Sequence, residues 1–130
     1  MILTLAAIDL PADSDLDDQV GHVAIREPYT LRTALLAEKH TLAVGVIHSH
    51  PRDCAPVPSP IDDNMDSYYS SYFEGFAPGR PYVSLIAAIV KDELALSGRV
   101  YQSGSRLTAD RLVAPSGLAI LSQVDAALNG

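Results

Sequence analysis

Apolar residues fall into short, strongly patterned stretches along the chain. Residues 2–8 are apolar except at Thr4 and read as a strand. Residues 20–25 read as a second short strand with His22 inside it. From residue 29 to 40, Leu31, Ala34, Leu35 and Glu38 recur at helical spacing, and Thr30 is the N-cap candidate. Residues 42–47 form a run rich in β-branched types, as a buried strand does, and Pro51 ends it for want of an N–H. Ser59-Pro60-Ile61-Asp62 places a serine cap, a proline at the first helical position and an acid at the third. The helix it opens runs through Asn64, Met65, Tyr68, Tyr69 and Tyr72. Glycines and prolines in residues 75–81 mark a loop. Tyr82–Val90 is apolar at nearly every position and reads as a central strand. Lys91-Asp92 turns the chain, and Glu93–Gln102 is the partner strand of a hairpin, with Gly98 a candidate bulge. After a break at 103–105, residues 117–128 carry Leu118, Leu121, Val124, Ala127 and Leu128 at helical spacing. A C-terminal helix of this kind packs on its own domain or mediates assembly into a homo-oligomer.

This order predicts an α/β fold, a mixed sheet flanked by helices. A doubly wound parallel sheet fits less well, because the last two strong strands form an antiparallel hairpin. At 130 residues the chain is one domain, long enough for a proper core. No apolar run approaches the roughly 20 residues of a membrane span, and the first residues lack a signal peptide's basic start and cleavage site. No membrane association is therefore expected. The lone Cys54 excludes an internal disulfide and suits a reducing cytoplasm. A net charge of −7 argues against nucleic acid as the main partner. Asp13, Asp15, Asp17 and Asp18 lie close together, but without the glycine and glutamate of a calcium loop they read as a solvated loop.

The chemistry concentrates after residue 47. Side chains alternate along a strand, so His48 and His50 project to one face. Imidazole nitrogen suits zinc, and a catalytic zinc takes three protein ligands and a water. Asp62 is the best placed third ligand, with its neighbour Asp63 a rival. Cys54, a thiol near the pair, is a further candidate, although it lies in a loop leading away from the histidines. Asp62, Asp63 and Asp66 also have a structural explanation, since acids in a first helical turn offset the helix dipole and complete a capping box. Tyr68, Tyr69, Tyr72 and Phe73 form an aromatic cluster suited to packing this helix on the sheet.

His48-Ser49-His50-Pro51, a spacer, then Ser59-Pro60-Ile61-Asp62 resembles the motif of the JAMM (MPN+, Mov34/JAB) zinc metalloproteases, and the bacterial Prok-JAB branch most of all. The spacer is one residue longer than that family's usual one. The resemblance covers roughly residues 1–104, and its specificity lies in residues 44–63. It implies a cytidine-deaminase-like fold in a metal-binding domain over residues 1–104, with residues 105–130 a C-terminal tail that carries a helix. It implies zinc held by His48, His50 and Asp62, with Ser59 helping to hold the oxyanion.

The family also uses a glutamate on an upstream strand, after an opening helix, as general base. Residues 2–8 correspond to the strand after that one, so the resemblance leaves the glutamate outside the chain. Glu27, ahead of Pro28, and Glu38, late in the first helix, are the upstream glutamates that could stand in. The implied activity is zinc-dependent isopeptidase or peptidase action on the tail of a ubiquitin-like or sulfur-carrier-like protein. The alternative is a zinc-binding but inactive JAB-like binding or scaffold domain.

Overall fold

The computed structural model describes residues 1–19, 22–114 and 117–120. Its centre is a four-stranded mixed sheet in the order β4-β5-β6-β7, with β4 at Val44–Ser49, β5 at Tyr82–Val90, β6 at Glu93–Gln102 and β7 at Ser105–Thr108. β4 and β5 run parallel, while β5–β6 and β6–β7 are antiparallel. Two helices, α1 (Glu27–His40) and α2 (Pro60–Glu74), flank the sheet, so the chain is α/β. A parallel neighbour needs a crossover, and α2 with its loops supplies it between β4 and β5. The hairpins need only two-residue turns. Lys91 and Asp92 take φ of 51° and 63°, and Ser103 and Gly104 take 52° and 79°, the left-handed backbone that matches the twist of paired strands.

Register sorts one sheet face into three rows across β4, β5 and β6. These are Val44–Tyr82–Tyr101, Val46–Ser84–Arg99 and His48–Ile86–Ser97. The first row is apolar and aromatic, and joins Ala34 and Ala37 of α1 and Tyr69 and Phe73 of α2 in the main core. Phe73 and Tyr82 stack with ring centroids 5.9 Å apart. On the opposite face, Val100 and Ala109 pack with Val83, Leu85, Leu96, Leu3 and Leu112. Leu3 comes from β1 (Ile2–Thr4) and Leu112 from β8 (Arg111–Ala114), which pair in parallel beside β9 (Gly117–Ile120). β2 (Leu16–Gln19) and β3 (His22–Ile25) form a separate antiparallel hairpin.

Several boundaries differ from the sequence reading, each for a physical reason. The first helix begins at Glu27 rather than 29, because Arg26 is still extended and Pro28 favours a first turn. Thr30 is therefore inside the helix, and its hydroxyl donates to the Glu27 carbonyl instead of capping. The strand expected at 42–47 starts two residues later. Thr41 is left-handed, and the Leu42 N–H still bonds the Ala37 carbonyl at 2.9 Å. The first strand stops at Thr4, although the Leu5 N–H continues its pairing to Val113. Gly98 pairs with Leu85 in unbroken register, so there is no bulge. The helix expected at 117–128 opens instead as β9. Its ladder with β8 overrides four residues of helical spacing, and residues 121–128 lie outside the described ones. Val20, from the strand expected at 20–25, also lies outside them. Among the described residues no helix is long and apolar enough to cross a membrane.

Candidate metal centre

The centre forms where a strand ends and a helix begins. β4 keeps its pairing with β5 to the Ser49–Ala87 pair, and the His50 N–H adds a bond of 2.9 Å to the Ala87 carbonyl. Pro51 then breaks the ladder. The loop that follows is pinned to the β5–β6 hairpin. The Asp53 N–H donates to Ile89, Asp53 accepts from the Lys91 N–H at 3.0 Å, and Arg52 pairs with Asp92. The Ser97 hydroxyl donates to the Pro56 carbonyl at 2.5 Å. These ties return the chain to Ser59 beside the histidines.

Ser59 and Asp62 then form a reciprocal capping box. The Asp62 N–H donates to Ser59 Oγ at 3.2 Å, and the Ser59 N–H donates to Asp62 Oδ2 at 2.8 Å. The box aims the Asp62 carboxylate at both imidazoles. His50 Nε2 lies 3.0 Å from Oδ2 and His48 Nε2 lies 2.9 Å from Oδ1. Asp62 is buried, and His48 and His50 are half-buried. Burial raises the Asp62 carboxyl, but the Ser59 N–H, the His48 charge, the Ser59 hydroxyl and His50 outweigh it and hold the group below the usual carboxylate range.

The two histidine contacts are not equivalent. His50 and Asp62 meet in hydrogen-bond geometry. His48 Nε2 is buried and close to Oδ1, yet it has no hydrogen-bond partner. Nitrogen and oxygen this close without an aligned proton suit donors that share an ion. With metal–ligand bonds of 2.0–2.1 Å, donor atoms at tetrahedral corners lie about 3.3 Å apart, near the spacing seen here. His48, His50 and Asp62 form a group that can hold a metal ion. It is the one such group among the described residues.

The other sequence candidates stand elsewhere. Asp63 turns to Arg99, with Nη1 donating to Oδ1 at 2.6 Å. Cys54 is exposed and outside the group. Glu27 is exposed at the first residue of α1, and Glu38 is exposed near its end. Neither joins the histidines and Asp62.

Sequence reasoning missed a polar cluster next to the centre. Arg99 Nη2 donates to Asp66 at 2.8 Å, and the Tyr101 hydroxyl donates to the same oxygen at 3.1 Å. Ser84 completes it with a further hydrogen bond to Asp66. Burial pushes the Tyr101 phenol up, and the Asp66 charge adds to this, so the phenol remains a donor. The signal lay in alternation: Ser84, Ser97 and Arg99 occupy positions of β5 and β6 that face inward.

Comparison of the chain with known protein families, curated proteins and solved structures finds no match.

Proposed function

We propose that His48, His50 and Asp62 hold zinc in a JAMM-type metallopeptidase domain of cytidine-deaminase-like fold. Its substrate class is the extended tail of a ubiquitin-like or sulfur-carrier-like protein. The observation that carries this reading is the convergence of two Nε2 atoms on one carboxylate, at 2.9 and 3.0 Å, where β4 gives way to α2. Two imidazoles and a carboxylate suit zinc and leave a position for water.

When bound, zinc would supply a Lewis acid that polarises a carbonyl and acidifies water. Ser59 Oγ accepts from the Asp62 N–H, which leaves its own proton to donate to a substrate oxygen. An extended tail has a natural berth on β4. Among the described residues this strand pairs on one side only, and a chain added to its other edge would run past His48.

One observation favours a second reading. No glutamate joins the group of His48, His50 and Asp62 among the described residues, and Glu27 lies exposed at the start of α1. Without a general base, the domain would bind zinc and its partner but not turn over, acting as a binding or scaffold module.

Zinc content of the purified chain, beside His48→Ala and Asp62→Ala, tests the centre. Release of a tail from a ubiquitin-like fusion, with and without EDTA, tests the chemistry. About one zinc per chain, lost in both variants, with EDTA-sensitive cleavage, supports the hydrolase. Zinc without cleavage supports the binding module. No zinc after reconstitution overturns both.

A further inference from the structure

The position of Asp62 depends on how the first turns of α2 are fastened. The apolar anchors of this helix, Tyr69 and Phe73, come two and three turns later. Near the start, Ile61 is 67% exposed and Met65 is only partly buried. The buried side chains of the first two turns are both acidic, Asp62 and Asp66. The N-terminal half of α2 is therefore held to the sheet largely by polar contacts, and among the described residues Arg99 is the one side chain of the sheet that reaches two of its carboxylates.

Arg99 is 3% exposed on β6. Its two terminal nitrogens reach two carboxylates on successive turns of α2, Asp63 at 2.6 Å and Asp66 at 2.8 Å. Asp63 is the residue next to Asp62. Asp66 is also held by Tyr101 of β6 and Ser84 of β5. Ser84 pairs with Val46 of β4, one row from His48. The frame that fixes α2 is thus the frame that fixes His48.

We propose that Arg99 is a positioning residue for the metal centre. Its fork fastens the opening turns of α2 to β6 and so sets where the Asp62 carboxylate meets His48 and His50. This rests on the reading of these three residues as a metal centre. The guanidinium is suited to the task because it is planar, with donors in fixed directions that span two carboxylates. A lysine ammonium would meet one of them as a point charge. A buried ion pair often adds no stability over well-packed apolar residues, and the role assigned to this one is to fix geometry.

The test is Arg99→Lys in the full chain, with three readouts. These are zinc Kd by competition with a chromogenic chelator, the visible absorption of the cobalt(II)-loaded protein, and the urea midpoint. Partners that orient metal ligands typically cost 10–100-fold in affinity when changed. The expected result is a Kd raised about tenfold with an altered cobalt spectrum, which reports ligand geometry. A lower urea midpoint with unchanged Kd and unchanged spectrum would overturn the proposal and leave Arg99 a fold residue. Should Arg99→Lys not fold, Asp63→Asn removes one arm at a half-exposed carboxylate, with side-chain exposure 55%. It is expected to shift Kd and spectrum in the same direction, and no shift there would equally overturn the proposal. A wild-type chain that takes up neither metal would sink the metal centre itself, and Arg99's role with it.

Discussion

Asp62 and Ser59 hold each other through two hydrogen bonds, and the oxygen that closes the box, Asp62 Oδ2, is also the one 3.0 Å from His50 Nε2. Helix capping and ligand presentation are thus one arrangement. A carboxylate in a capping box has lost much of its rotamer freedom before any ion arrives, so little further ordering is needed at binding.

Ser59→Ala separates the two roles of the serine. Loss of the cap is expected to cost about 1 kcal/mol of stability, read from urea unfolding. Zinc content should stay near that of the parent, because the Ser59 backbone N–H still orients Asp62. If the domain is a hydrolase, turnover should fall about 100-fold, the scale for removing one oxyanion donor. Zinc lost together with the serine would instead make the hydroxyl essential to the ligand set.

Asp62→Asn and Asp63→Asn decide between neighbours that spacing alone left open. Asp62 faces the histidines and Asp63 faces Arg99. Asp62→Asn is expected to abolish zinc retention through gel filtration. Asp63→Asn is expected to keep full stoichiometry at saturating metal, with weaker affinity. The reverse pattern would move the third ligand to Asp63.

The β5–β6 turn carries avoidable strain. Lys91 and Asp92 both adopt left-handed backbone, which asparagine and glycine tolerate better. Replacing the pair by Asn-Gly should raise stability by about 1 kcal/mol. The lost Arg52–Asp92 contact offsets little of this, because both side chains are mostly exposed. A lower melting temperature in the double variant would show that the loop after His50 depends on that contact.

Asp15 supplies a pH dependence with a definite sign. Its carboxylate accepts from the Ala12 N–H at 2.8 Å and from Arg32. The Ala12 bond lowers its pKa most, burial opposes this, and Arg32 lowers it further. An acid whose folded pKa is depressed contributes stability above its unfolded pKa, about 3.9, and loses it as pH falls through the lower folded value. The gap in urea midpoint between the parent and Asp15→Asn should be present at neutral pH and close on acidification below that range. A gap that persists unchanged in acid would count against the carboxylate as its source.

Local chemistry already decides a good deal of this molecule. Tyr82–Val90 and Glu93–Gln102 form with the expected limits, because an unbroken apolar run, a two-residue turn and an alternating partner leave few other arrangements. The start of α2 was equally legible, since the Ser59 cap, Pro60 and Asp62 act within one turn. His48 and His50 share a face because strand alternation requires it, whatever lies around them.

Long-range contact decided the rest. Asp62 rather than Asp63 faces the histidines because the direction of each side chain depends on how α2 sits on β5 and β6. Arg99 and Asp66 are 33 residues apart, and no local pattern pairs them. Residues 117–120 belong to a stretch whose spacing reads as a helix, and the neighbouring β8 overrode that reading by offering a ladder. Periodicity is a property of a few neighbouring residues. Which buried polar groups must find each other follows only once the sheet and helix have closed over them.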